Sequence, residues 1–148
     1  MQRSENIDLL AKALSKAQGE IKNAKKDAVN DHFKKSYADL ASSWDACRAS
    51  ISKYGLSVIQ TVAYLVDGWV LETTLLHDSG QFITGIHPLV PERPGPHAFK
   101  SVVTYAKRTS LEAMVGIAGE DDDGNAATNL TQVKQKEAIK NFAPKPVN

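Results

Sequence analysis

LSVIQTVAYLVDGWVLETTLLHDSGQFITGIHP, residues 56–88, decides the fold. The run is rich in β-branched and apolar residues and is interrupted twice by turn formers. Asp67-Gly68 is a two-residue hairpin signal, and Asp78-Ser79-Gly80 marks a second turn. Three strands are expected, over Leu56–Leu65, Trp69–His77 and Gln81–Pro88. Connections this short force neighbouring strands to run antiparallel, because a parallel crossover needs a dozen or more residues. The stretch therefore reads as a three-stranded antiparallel β-meander.

Upstream, the period changes to that of helices. Ile7, Leu10, Ala11, Leu14, Ala17 and Ile21 recur at spacings of three and four, which predicts a helix over residues 5–24 with Ser4 as its cap. Residues 25–36, KKDAVNDHFKKS, break the pattern and read as a loop. A second helix is expected from Tyr37 to Tyr54. Ser36 and Asp39 form a capping-box-like pair, Leu40, Trp44, Cys47 and Ile51 form its apolar stripe, and Gly55 closes it. Cys47 lies on that stripe and reads as a small core residue rather than a nucleophile.

Downstream, VPERPGPH, residues 90–97, is a proline-rich loop, and a third helix is expected over Ala98–Ile117. Beyond Gly124 the chain becomes polar, and residues 126–148 read as a flexible tail with at most a weak helix. The fold class is α+β: two helices, three strands and a helix, with the helices on one face of a small sheet. Residues 1–125 form the expected domain.

With 148 residues the chain is long enough for one real core. Eighteen Lys and Arg stand against 17 Asp and Glu, so any basic surface must arise from local segregation. A single cysteine excludes an internal disulfide and fits a reducing cytoplasm. No apolar run reaches membrane-spanning length. No P-loop and no cysteine-rich zinc motif is present, and no cofactor or metal is expected. His77 and His87 fall at different heights of the second hairpin, unsuited to sharing a metal.

On a helical wheel, Phe99, Val103, Ala106, Ser110, Ala113, Met114 and Ile117 share one face of the third helix. Lys100, Thr104, Lys107, Arg108 and Leu111 share the opposite one. A row of cations at this spacing can follow a phosphate backbone, with arginine forking onto one phosphate and threonine donating to another. It is equally the pattern of a solvated outer face. The three aspartates Asp121, Asp122 and Asp123 read as an acidic loop or as ligands for a hard cation.

At this point the sequence resembles a known family. PHAFKSVVTYAKRTSLEAMVGIAGEDDDGN, residues 96–125, is similar to the signature of the ERF, or essential recombination function, single-strand annealing proteins of phages. The chain keeps Ala98, Ser101, Thr104-Tyr105-Ala106, Arg108, Gly116-Ile117 and Asp121 to Gly124. FKKSYADL, residues 33–40, and LLHDSGQFITGIHPL, residues 75–89, resemble further segments of that family. His97, Lys100, Lys107 and Thr109 depart from the usual glutamine, glycine, arginine and tyrosine. Lysine at 107 keeps the charge and loses the fork.

The resemblance implies ATP-independent binding of single-stranded DNA, annealing of complementary strands, and a ring or helical assembly built on a β-β-β-α core. The implied location is the cytoplasm of a bacterial host. Implied partners are single-stranded DNA, further copies of the chain, and a phage or host single-strand-binding protein or exonuclease. The candidate DNA contacts are Lys100, Ser101, Thr104, Tyr105, Lys107 and Arg108, with Lys34, Lys35 and Tyr37 as a second wall. Lys22, Lys25 and Lys26 are candidates for a contact with Asp121, Asp122 and Asp123 of a neighbouring copy. Two rival readings stay open: a metal-dependent nuclease using the three aspartates, and an assembly module that does not touch DNA.

Overall fold

The computed structural model describes residues 2–24, 28–30, 35–37 and 39–118. The elements are β1 (Gln2–Arg3), α1 (Asp8–Gln18), β2 (Ala28–Asn30), β3 (Lys35–Tyr37), α2 (Leu40–Lys53), β4 (Leu56–Leu65), β5 (Gly68–His77), β6 (Phe82–Pro88) and α3 (Pro96–Val115). The chain is α+β. The meander is present, and β4 pairs with β5 over ten residues in unbroken antiparallel register, from Leu56 opposite His77 to Leu65 opposite Gly68. Only Val66 and Asp67 separate those two strands, so the tight turn falls one residue earlier than the Asp67-Gly68 pair, and Gly68, at φ +124°, opens β5.

The expected three-stranded sheet has a fourth strand. β1 precedes the first helix and pairs with β6, giving the order β1-β6-β5-β4. Ser4 explains why. Its N–H donates to the Phe82 carbonyl and its hydroxyl oxygen accepts from the Phe82 N–H. Ser4 therefore clamps the start of the chain to the sheet and does not cap α1. The cap comes from across the fold: the Gln81 side-chain oxygen accepts from the Leu10 N–H at 2.9 Å, and its amide donates to Asp8. That amide is the main reason the Asp8 carboxyl titrates below its ordinary value.

The expected loop over residues 25–36 carries most of a short antiparallel pair, β2 and β3, and Tyr37, expected to open the second helix, ends β3 instead. β3 ends two residues before Asp39, the N-cap of α2, whose carboxylate accepts from the Ser42 N–H at 2.8 Å. At the other end Gly55 takes a left-handed φ of +70°. A side chain there would be strained at that φ and would displace the Asp78 carboxylate, 2.6 Å from where its Cβ would stand.

The three long helices lie on one face of the sheet. Leu10, Ala13 and Ala17 of α1, Cys47 and Ile51 of α2, Leu56 and Leu75 of the sheet, and Leu111 and Val115 of α3 form the main core. A smaller cluster joins Leu71 and Leu89 to Ala106, with Phe99, Val102 and Val103 packed against it. Each fully buried leucine contributes about 1.5–3 kcal/mol of transfer free energy. Buried hydroxyls find partners within the fold, as where Ser43 bonds the Asp39 carbonyl of its own helix cap and the Glu112 carboxylate of α3.

Candidate nucleic-acid interface

α3 carries most of the sequence-predicted site. Its first turn starts at Gly95 and Pro96 with no capping side chain, and its last turn is closed by Gly116 at φ +81°. A side chain at Gly116 would approach the Gln18 amide at 2.9 Å, and that amide in turn donates to the Val115 carbonyl. The C-terminal end of the helix is thus held by α1 through Gln18.

That face differs from the single-stripe expectation. Leu111, placed outward on the wheel, is fully buried, while Ala113, placed inward, is exposed. The reason is that α3 has two partners. Its N-terminal half lies on the sheet alone, and its C-terminal half is also flanked by α1 and α2, so the buried arc widens there. Lys100, Ser101, Thr104 and Tyr105 stay exposed, whereas Lys107 and Arg108 are half-buried.

Lys107 is fixed through its backbone. The Gln60 side-chain amide donates to its carbonyl at 2.8 Å and to the Thr73 hydroxyl at 3.2 Å. Arg108 lies over the Tyr105 ring, 5.4 Å from its centre. It also faces the start of α2. Asp39 titrates below its ordinary value chiefly because Ser42 hydrogen-bonds it, with the Arg108 charge a smaller contribution. The outer face of α3 and the start of α2 are therefore linked electrostatically through Arg108 and Asp39.

The small hydroxyls are already committed. Thr104 donates to the Lys100 carbonyl and Ser101 to the His97 carbonyl, each at 3.0 Å, and Thr109 donates to the Tyr105 carbonyl at 3.1 Å. Lys34, Lys25, Lys26, Asp121, Asp122 and Asp123 lie outside the described residues. So do the side chains of Lys35 and Tyr37. Lys22 is described and exposed, and its N–H donates to the Ala46 carbonyl.

An aromatic ladder stands beside the first turn of α3. Tyr64 and Trp69 face each other across the β4–β5 hairpin with ring centres 5.1 Å apart, and Trp69 meets Phe99 at 5.6 Å. Tyr64 is 66% and Trp69 48% exposed. Sequence reasoning missed this pair, though aromatic residues flanking a tight turn in cross-strand register are its signal. On the other side of the helix start, Arg93, His97 and Ser101 line a shallow cavity of about 390 Å³.

Neither histidine of the second hairpin shares a partner with the other. His77 bonds Ser79, and His87 meets the Ser110 hydroxyl. Among the described residues no group of three or more His, Cys, Asp or Glu is placed to hold a metal ion, and no helix is long and apolar enough to cross a membrane. Cys47 is fully buried, and burial pushes its thiol up to about 11.

No curated protein and no solved structure matches the chain. The sequence model of the ERF superfamily does, over residues 10–145. That match takes in most of α1, all of α2 and α3, the meander and the exposed face of α3, and the chain belongs to the ERF superfamily.

Proposed function

We propose that the chain binds single-stranded DNA along the outer face of α3 and promotes annealing of complementary strands without ATP, several copies acting on one strand. The observation that carries this reading is the exposure of Lys100, Ser101, Thr104 and Tyr105. These residues lie inside the matched family region and stay uncovered among the described residues. Lys100 and Arg108 supply charge, and Tyr105 supplies a half-exposed ring. The Tyr64–Trp69 ladder offers further stacking surface near the same helix end.

Annealing requires no bond chemistry. Two like-charged strands must approach, and cations on a shared surface lower that repulsion. Contacts made to phosphates leave base edges free to test pairing. One protomer supplies few such contacts, so its affinity is low and salt-sensitive. Repetition along a strand raises it through effective concentration. This accounts for a chain of near-neutral net charge acting on a polyanion.

The test is fluorescence anisotropy of a labelled oligonucleotide over a range of salt, joined to an annealing assay on complementary strands without nucleotide. Binding that weakens steeply with salt, and annealing above the spontaneous rate, support the proposal. A folded chain that binds no oligonucleotide at low salt overturns it.

A further inference from the structure

The two edges of the main sheet are treated differently. The start of the β6 edge is paired with β1, Gln2 opposite Thr84 and Arg3 opposite Ile83, and β6 ends in Pro88. The β4 edge has no strand beside it among the described residues. Natural edges are blunted by charge, proline, bulges or shortness. β4 has none of these. LSVIQTVAYLV, residues 56–66, contains no charged residue, no proline and no glycine. The strand is ten residues long and pairs with β5 without a bulge. Ile59 is 53% and Leu65 41% exposed.

Register fixes which backbone groups are free. The Gly55 carbonyl accepts from the Asp78 N–H, so at Gly55 the main chain turns toward β5. Antiparallel pairs alternate, so Ile59, Thr61 and Ala63 also turn inward, while Val58, Gln60, Val62 and Tyr64 turn their N–H and C=O groups to the open edge. A continuous row of donors and acceptors is offered to another strand.

We propose that β4 is the seam of a two-fold dimer, in which it pairs antiparallel with β4 of a second copy centred on Thr61. The proposal gives a surface to the self-association in the functional reading above and rests on that reading. A copy of itself is the occupant the strand fits. Centred on Thr61, Val58 stands opposite Tyr64 and Gln60 opposite Val62 on the helix-bearing face. Ile59 stands opposite Ala63 and Thr61 opposite its own copy on the other face. Apolar meets apolar, threonine meets threonine, and no charge meets its like. A strand selected by charge would find nothing on β4 to recognise. The two-fold axis is perpendicular to the sheet, so both copies keep their helices on one side and both α3 faces look the same way. The result is one eight-stranded sheet with two cationic rows flanking its seam.

The experiment is sedimentation of the full chain without DNA, with two double variants. Ile59→Lys with Ala63→Lys places lysines opposite lysines across the seam, and Ile59→Glu with Ala63→Glu does the same with glutamates. The unmodified chain should sediment as a dimer or a multiple of it. Each variant should fall to half that mass or less, and an equimolar mixture should regain the larger species. The proposal is overturned if the unmodified chain is a monomer at tens of micromolar, if either folded variant keeps its mass, or if the mixture stays small. Hydrogen exchange on the unmodified chain tests the seam without any variant. The Gln60 and Val62 amides should be protected, and free exchange at both overturns the pairing. A monomer that binds oligonucleotide sinks the seam and leaves the DNA reading standing; a dimer that binds none does the reverse.

Discussion

The side-chain amide of Gln60 donates to the main-chain carbonyl of Lys107, 2.8 Å away. This bond ties the middle of β4 to the middle of α3 and fixes how far the helix rotates on the sheet. Gln60→Leu fills the same space and removes the donor. The expected cost is about 1 kcal/mol, the usual net worth of such a bond. Urea unfolding should show the midpoint shift at unchanged slope. A variant as stable as the parent would mean that the apolar contacts of Ala106 and Leu111 alone set the helix.

Lys100 and Arg108 should separate binding from stability. Lys100 is exposed, so Lys100→Ala should leave unfolding unchanged. It should lower the slope of log affinity against log salt for single strands by roughly 0.7. Arg108 is half-buried, covers Tyr105 and faces Asp39. Arg108→Ala should weaken oligonucleotide binding and also destabilise the fold, by about 0.5–1 kcal/mol for the lost ring contact. Anisotropy and thermal melts on the same two proteins decide this.

Much of the fold was legible because its signals are local. The strand boundaries follow from β-branched runs and two turns, and β4 falls on Leu56–Leu65 as read. What stayed hidden was made by contacts distant in sequence. Ser4 resembles a helix cap, yet it bonds Phe82, and the true cap of α1 is Gln81, some 70 residues on. Leu111 reads as outward only if α3 has one partner. On the site, the wheel found Lys100 and Thr104 on the exposed face. It could not show that Lys107 and Arg108 would be half-buried, the one bonded through its carbonyl by Gln60 of β4 and the other near Asp39 at the start of α2, or that Tyr64 and Trp69 would stand beside that helix.

Asp39 predicts a pH dependence. Its hydrogen bonds to Ser42 hold the folded carboxyl below its ordinary value of 3.8. The folded chain therefore binds this proton less tightly than the unfolded chain does. The stabilisation is complete above the unfolded value and is lost as pH falls through it toward the lower folded one. Asp8 and Glu20 are lowered too, so the measurement is a difference. Asp39→Asn keeps a capping oxygen without the titration. The stability gap between parent and variant should be constant from neutral pH to about pH 5 and should shrink below about pH 4. Asp39→Ala loses the cap outright, at about 1 kcal/mol.

Cys47 should be silent toward thiol reagents at neutral pH. Its thiol is fully buried and pushed up to about 11, so almost no thiolate is present or reachable. Labelling should proceed only as fast as the core opens and should accelerate across the urea transition. Rapid labelling of the folded chain would contradict the packing of α2 against the sheet.

Trp69 supplies the most direct view of a bound strand. Its ring is half exposed, meets Tyr64 and Phe99, and Phe99 adjoins Lys100 on α3. A strand held by Lys100 brings its bases to this ladder. Stacking on an aromatic side chain is worth about 1–3 kcal/mol per base, so Trp69→Ala should weaken oligo(dT) binding by roughly 5- to 150-fold. Trp69→Phe keeps a stacking face and should weaken it far less. Oligo(dT) should quench the tryptophan emission of the parent. It should leave Trp69→Phe unquenched, because the remaining Trp44 is half-buried with the Arg48 guanidinium 5.2 Å from its ring centre. An abasic deoxyribose-phosphate oligomer should bind more weakly and quench neither protein. If oligo(dT) binds with the emission of Trp69 unchanged, the bases lie away from the ladder, and the pair serves only to brace the β4–β5 hairpin.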